Sequence, residues 1–169
     1  MDKVIQPLMR VAAFAGLTRQ QLSEIARHAQ KLKFLAGDVI TRAGDAGDGA
    51  FVVASGPAER IGAGQKGESV AAGSLIGEMA MLIEHDYRST VIARDWVFCL
   101  KITRAGLHAQ MREDPALVEH FQRRVSDRLI KMAEDLRRID GILASEASDR
   151  ARAAPAAASQ KSFRRSVDR

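Results

Sequence analysis

Apolar positions in residues 1–33 recur at helical spacing. Leu22 and Ile25 lie three residues apart and begin a stripe along one helical face. Thr18 and Gln21 stand just before them in the arrangement of a capping box, in which each side chain binds the backbone amide of the other. We therefore expect an N-terminal helical segment over residues 1–33.

Residues 34–102 instead alternate short runs of β-branched, aromatic and other apolar residues with glycine-containing turns. The runs are Phe34–Ile40, Ala50–Ala54, Ser69–Ala72 and Thr90–Ile102. Because Gly and Asp favour turns, this pattern predicts a small antiparallel roll or barrel. Gly77 is followed by good helix formers, which predict one or two helical turns inside the roll.

Helical patterns return over residues 103–145. Thr103 can cap a short helix through Met111. Asp114 and Pro115 then form an N-cap followed by proline at the first helical position. We expect this second helix to run to about Ala144.

A heptad seam runs along the long helix. Its members step by four and three residues: Val125, Leu129, Met132, Leu136, Ile139 and Leu143. Packing on its own domain would account for the first half of the helix. The second half extends past any core of this size, so we expect a homodimer through the helix 115–144.

Residues 146–169 are rich in Ala, Ser and Arg, so we expect a disordered basic tail. Residues 1–120 hold 14 basic and 14 acidic side chains, whereas residues 147–169 contribute +4 of the net charge of +5. The tail could touch nucleic acid or an anionic membrane by charge alone, or act only as a solubilising terminus. It is too short for a winged-helix domain, so we expect no specific DNA binding.

The remaining composition argues against an enzyme or a metal protein. Cys99 is the single cysteine and stands in an apolar run, which favours a small buried hydrophobe. No run approaches the roughly 18 apolar residues of a transmembrane segment, and a reducing cytoplasm is the default location. The GxGxxG run at 62–67 favours a hairpin tip. No Ser/His/Asp, Cys/His or metal-ligand arrangement has a supporting motif.

Residues 76–91 combine the groups that would cradle a sugar phosphate. Gly77 lets the backbone approach a ligand closely, and the helical turn after it presents free amides. Arg88 can make charge-assisted bonds to a phosphate, and Ser89 and Thr90 can add hydroxyl donors. Glu78 would repel a bare phosphate but would accept a hydrogen bond from a sugar hydroxyl.

This segment resembles the phosphate-binding cassette of the cyclic nucleotide-binding domain family, and the resemblance extends over residues 8–140. It is carried by an ordered series of motifs: Leu17-Thr18, Gly37-Asp38, Gly44-Asp45, Phe51-Val52-Val53, Gly56, Gly73 and Gly77-Glu78-Met79-Ala80. It implies an α+β, mainly β fold: a jelly-roll-like antiparallel β-roll flanked by N-terminal helices and a long C-terminal helix. It also implies cAMP or cGMP as ligand, with no metal.

The resemblance further implies a role for each site residue. Glu78 would hold the ribose 2′-hydroxyl, and the amides of Met79 and Ala80 would hold phosphate oxygens. An arginine and the hydroxyl residues after it would complete the phosphate site. The long helix would cover the base and report occupancy.

The arginine departs from the family pattern. Nine residues separate Glu78 from Arg88, so an ungapped alignment puts Tyr87 at the usual arginine position. In an extended segment a shift of one residue turns a side chain to the other face, whereas a loop can absorb it. Two hypotheses remain open. The chain is a stand-alone cyclic nucleotide-binding regulatory module, or it is a dimerisation or protein-docking module whose nucleotide pocket has degraded.

Overall fold

The computed structural model describes residues 2–62 and 67–153. Its helices are α1 (Asp2–Met9), α2 (Arg19–His28), α3 (Glu78–Leu82), α4 (Arg104–Glu113) and α5 (Pro115–Ala153), with a 3₁₀ turn at Ala12–Phe14. Its strands are β1 (Gln30–Phe34), β2 (Val39–Thr41), β3 (Ala46–Gly47), β4 (Gly49–Ser55), β5 (Ala58–Ile61), β6 (Glu68–Val70), β7 (Leu75–Ile76), β8 (His85–Asp86), β9 (Thr90–Ala93) and β10 (Val97–Thr103). The chain divides into two compact units, Met1–Ser126 and Asp127–Arg169.

The strands of the first unit form an antiparallel β-roll. Two four-stranded sheets have the orders β1-β10-β4-β7 and β2-β9-β5-β6, and β3 pairs with β8. Strand β10 has two buried faces, because successive side chains of a strand point to opposite sides. Leu100 and Ile102 pack in the cluster that includes the helices. Val97 and Cys99 pack in the roll interior. The predicted fold class is confirmed.

The helices of this unit share one apolar cluster with the outer face of β4 and β10. Leu8 of α1, Leu107 of α4 and Leu117 of α5 are almost completely buried there. Phe121 of α5 meets Phe14 edge-on, with ring centroids 6.2 Å apart. The beginning of α5 therefore packs on its own domain, as the seam analysis predicted.

Several predicted local signals are present. Thr18 and Gln21 form the full capping box of α2. The Thr103 hydroxyl accepts a hydrogen bond from the Gly106 amide at the start of α4. Strands β5 and β6 pair on either side of the GxGxxG run, which supports the predicted hairpin, although residues 63–66 at its tip lie outside the described residues.

The N-terminal helical segment ends earlier than residue 33, which corrects the expected boundary. Helix α2 stops at His28, and strand β1 begins at Gln30. Lys31 and Lys33 are exposed, whereas Leu32 between them is half-buried. This alternation has the period of a strand, and pairing with β10 stabilises it.

Helix α5 is longer than predicted, which corrects the expected start of the tail at residue 146. It continues to Ala153, because residues 146–153 contain Ala, Arg and Glu, which favour helix, and no proline. The rest of the predicted tail, 154–169, lies outside the described residues.

Cys99 is buried, as predicted, and burial raises the pKa of its thiol to about 12. The thiol is therefore protonated at neutral pH and unreactive. Among the described residues, no helix is both long and apolar enough to cross a membrane.

Two glycines with positive φ give a matched test of the turns. A Cβ at Gly56 would lie 2.0 Å from the carbonyl oxygen of Trp96, whereas a Cβ at Gly37 would meet nothing within 4 Å. Gly37→Ala should lower the free energy of unfolding by about 1–2 kcal/mol through backbone strain alone. Gly56→Ala should cost about 1–3 kcal/mol more, because the backbone must move. Urea denaturation of the two variants measures the difference, and equal losses would contradict the close approach at Gly56.

Candidate functional site

The short helix α3 depends on a glycine that no other residue can replace without strain. Gly77 has φ +77° and ψ 34°, a left-handed conformation. A Cβ added there would lie 2.7 Å from Cε1 of Tyr87 and 3.3 Å from the carbonyl oxygen of Gly49. The Gly77 carbonyl oxygen accepts a hydrogen bond from the Ala80 amide, at 3.0 Å. The predicted helical turn after Gly77 is therefore confirmed, and one of its predicted phosphate-binding amides already has an intramolecular partner.

Side chains of α4 hold the carboxyl end of α3 in place. The Arg104 guanidinium donates through Nη1 to the carbonyl oxygens of Ala80 and Ile83, at 3.0 and 3.1 Å. The same nitrogen reaches the carbonyl oxygen of Gly47 at 2.8 Å. His108 Nε2 donates to the carbonyl oxygen of Leu82 at 2.8 Å. Carbonyls at a helix end lack helical partners, so these contacts satisfy them.

The Glu78 carboxylate is tied to helix α5 through one oxygen. Its Oε1 accepts hydrogen bonds from Arg124 Nη2 at 2.9 Å and from Arg124 Nε at 3.3 Å. The Glu78 side chain is 20% exposed and that of Arg124 is 35% exposed. Within the described part of the chain, Oε2 of Glu78 makes no hydrogen bond. The residue predicted to hold a ribose hydroxyl thus has a fixed position and one oxygen open to accept.

Tyr87 fills the position at which the family pattern places arginine. Its side chain is buried, and its hydroxyl donates to the carbonyl oxygen of Gly49 at 2.9 Å. Its ring packs against that of Phe51, with centroids 6.2 Å apart. Tyr87 therefore belongs to the core of the roll.

The electrostatic surroundings keep the Tyr87 phenol neutral. Burial raises the pKa of Tyr87, and the Asp48 carboxylate raises it further. The hydrogen bond from Lys101 Nζ, 2.7 Å from Asp48 Oδ2, lowers the pKa of that carboxyl, so Asp48 is charged at neutral pH. Tyr87 consequently contributes no positive charge at this position, and its hydroxyl proton is already used by the Gly49 carbonyl oxygen.

The side chain of Arg88 lies in solvent, whereas Ser89 and Thr90 are half-buried. The Arg88 side chain is exposed and has no hydrogen bond or ion pair with any other described residue. The Thr90 hydroxyl accepts from the Ala43 amide at 3.0 Å and keeps its own proton available to donate. Ser89 is half-buried, and its carbonyl oxygen accepts from the Thr41 hydroxyl. Arg88 and Ser89 lie in a bend between strands β8 and β9, in which buried Tyr87 is followed by exposed Arg88.

The structure thus groups Gly77, Glu78, Met79 and Ala80 on one helical turn, and it leaves Arg88 pointing to solvent. Sequence reasoning missed Arg104 and Arg124. Arg104 did carry a signal, since a basic residue in the first turn of a helix opposes the helix dipole and suggests another role. No local pattern marks Arg124. No group of His, Cys, Asp and Glu side chains among the described residues could hold a metal ion.

Comparison with known proteins places this geometry in a family. Residues 31–114 match the family model described as "Cyclic nucleotide-binding domain". The chain is similar to a cAMP-dependent protein kinase regulatory subunit of Blastocladiella emersonii, with 27% identity over 125 residues. The match covers 71% of this chain and 30% of the relative, so the chain spans under a third of that protein's length.

Solved structures share the fold. A cyclic nucleotide-binding-like protein from Brucella abortus is 25% identical, with a TM-score of 0.59, over 66% of this chain and 99% of its own. The N-terminal domain of a transcriptional regulator from Streptomyces coelicolor A3(2) is 24% identical, with a TM-score of 0.68, over 77% and 94%. The catabolite activator protein of Thermus thermophilus is 23% identical, with a TM-score of 0.61, over 76% and 62%. The sequence match and the helix-flanked β-roll together show that residues 31–114 of this chain belong to the cyclic nucleotide-binding domain family.

Proposed function

We propose that the domain is a regulatory module that binds cAMP or cGMP and acts without catalysis. The observation that carries the proposal is the Glu78 carboxylate, which follows the left-handed Gly77 and is held through one oxygen by Arg124. Its open Oε2 accepts from the ribose 2′-hydroxyl. The family match and the similarity to a kinase regulatory subunit support this choice of ligand.

In this proposal the phosphate oxygens accept hydrogen bonds from backbone amides of α3 and from the side chains of residues 88–90. The Ala80 amide already donates to Gly77, so the main amide contact falls to Met79, with Ala80 adding a shared bond. Thr90 and Ser89 supply hydroxyl protons. Arg88 turns from solvent to the phosphate on binding, which its exposed and unrestrained side chain permits. In this proposal no metal takes part and the nucleotide is released unchanged.

Arg124 provides the route to a response. It lies on α5 and shares the Glu78 carboxylate that the ligand uses, so a sugar hydroxyl on Oε2 changes the environment of the ion pair. A ligand shifts the position of a helix only when it has different affinities for the two positions. We propose that this difference arises at Glu78. The movement then alters a contact with a protein partner or with a second copy along helix 115–144, in the cytoplasm and without specific DNA binding.

Isothermal titration with cAMP and cGMP tests the nucleotide site. Glu78→Gln should weaken binding about 10- to 100-fold, because it removes the charged acceptor of the ribose hydroxyl. Glu113→Gln on α4 removes the same charge from an exposed position and should leave the affinity unchanged. Folded wild-type protein that gives no heat at near-millimolar nucleotide would contradict the proposal.

A second candidate function is docking. Tyr87 places a neutral phenol in the core at the position of the family's arginine, and Arg88 is exposed. These observations favour a domain that keeps the fold for dimerisation or for binding another protein while its nucleotide pocket has degraded.

Arg88→Ala separates the two functions. Nucleotide binding predicts a loss of at least about tenfold in affinity, as for removal of a charged hydrogen bond. Arg112→Ala, an exposed arginine on α4, is the control for a lost positive charge and should have no effect. If neither nucleotide binds either wild type or variant, while pull-down or sedimentation shows protein association, the docking function replaces the first one.

A further inference from the structure

One lysine of strand β10 lies on the inner side of the β-roll. Lys101 shares a face of the strand with Val97 and Cys99, which pack in the roll interior. The Lys101 side chain is only 17% exposed. Charged side chains are rarely this buried, so the presence of a lysine on the inner face requires a physical reason.

An ion pair with Asp48 accounts for part of the Lys101 ammonium. Nζ of Lys101 lies 2.7 Å from Oδ2 of Asp48, whose side chain is 63% exposed. An ion pair with so exposed an acid contributes little to stability. The ammonium has three protons to donate, and among the described residues Asp48 is its only hydrogen-bond partner. The ion pair therefore leaves donors of Lys101 available to a ligand.

The Asp48 carboxylate also connects Lys101 with the position at which the family pattern places arginine. The hydroxyl oxygen of Tyr87, which occupies that position, lies 3.4 Å from Oδ1 of Asp48. The Lys101 ammonium lies 5.5 Å from the centroid of the Phe51 ring, and that ring packs against the ring of Tyr87. Lys101 thus brings a positive charge to the neighbourhood of the neutral Tyr87.

The segment that carries Asp48 packs directly against α3. A Cβ at Gly47 would clash with the Cβ of Ala80, so this segment and the helical turn are in close contact. Because Asp48 follows Gly47, its ion pair with Lys101 lies beside the turn whose amides bind phosphate in the proposed function. The flexible four-carbon stem of a lysine lets its ammonium turn toward an anion without movement of the backbone.

We propose that the Lys101 ammonium donates to a phosphate oxygen of the bound nucleotide and supplies the positive charge that Tyr87 does not. The inference rests on the proposed function and adds one residue to its phosphate site. Asp48 holds the ammonium before the ligand arrives, and the remaining protons of Nζ are donated to the phosphate. The contact is charge-assisted, so it contributes more than a hydrogen bond between neutral groups.

Isothermal titration of the full chain with cAMP and cGMP tests this contact. Lys101→Gln should weaken binding at least about tenfold, as for loss of a charged hydrogen bond. Lys101→Arg keeps the positive charge and should stay within about threefold of wild type. Lys31→Gln removes an exposed lysine of β1 and is the matched control, with no change expected. Unchanged affinity in Lys101→Gln would overturn the proposal.

Asp48→Asn separates a ligand contact from an ion pair that is only structural. This variant breaks the same pair but removes a negative charge near the phosphate, so binding should tighten about twofold to fivefold at low salt. If the pair only stabilised the roll, Asp48→Asn and Lys101→Gln would weaken binding equally, and that result would overturn the phosphate contact. Urea denaturation without nucleotide shows that both variants are folded.

The wild-type titration distinguishes failure of this inference from failure of the proposed function. Wild-type protein that binds neither nucleotide would overturn both. Wild-type protein that binds, together with a Lys101→Gln variant that binds equally well, would overturn the role of Lys101 and leave the proposed function intact.

Discussion

The turn of helix between β7 and β8 exists only because its backbone ends are satisfied by neighbours. Five residues are too few to hold a helix in water, since nucleation is unfavourable and most of its backbone groups lack helical partners. Arg104 and His108 donate to the carbonyls at its carboxyl end. At its start, the Tyr87 ring lies so close to Gly77 that a side chain has no room. The helical turn of the candidate ligand site is therefore built on contacts with α4 and the roll interior.

An ion pair at the candidate site also connects the roll to α5. Glu78 lies at the first position of α3, where it faces Arg124 of α5. A partly exposed ion pair of this kind contributes little to stability, about 0–1 kcal/mol. The ion pair matters because of its location. The Glu78 carboxylate that a sugar hydroxyl would contact also contacts Arg124 of α5. In the proposed function, ligand binding and helix placement are coupled through this single side chain.

Local chemistry was enough to predict the backbone structure near the candidate site where that structure depends on neighbours in sequence. Gly77 and Glu78 were recognisable because a glycine directly before a run of helix formers is typical of a chain that turns sharply into a helix, and the Thr103 cap was equally local. The inward Tyr87 and outward Arg88 lie at a bend between β8 and β9, and the sequence alone left open whether this segment is extended or a loop. The Arg124 contact spans 46 residues and depends on how α5 packs, so no local pattern could predict it. The early end of α2 was missed because residues 30–34 have a strand period that pairing with β10, 97–103, selects.

If occupancy of the Gly77–Thr90 segment reaches α5 through Glu78 and Arg124, a bound nucleotide must change both regions of the chain. Hydrogen–deuterium exchange of the full chain, with and without saturating cAMP or cGMP, measures both at once. The coupling predicts slower exchange in peptides from residues 77–90 and also from residues 115–126 with at least one nucleotide. Protection confined to residues 77–90 would contradict the coupling, and unchanged exchange in both regions would contradict the ligand site itself.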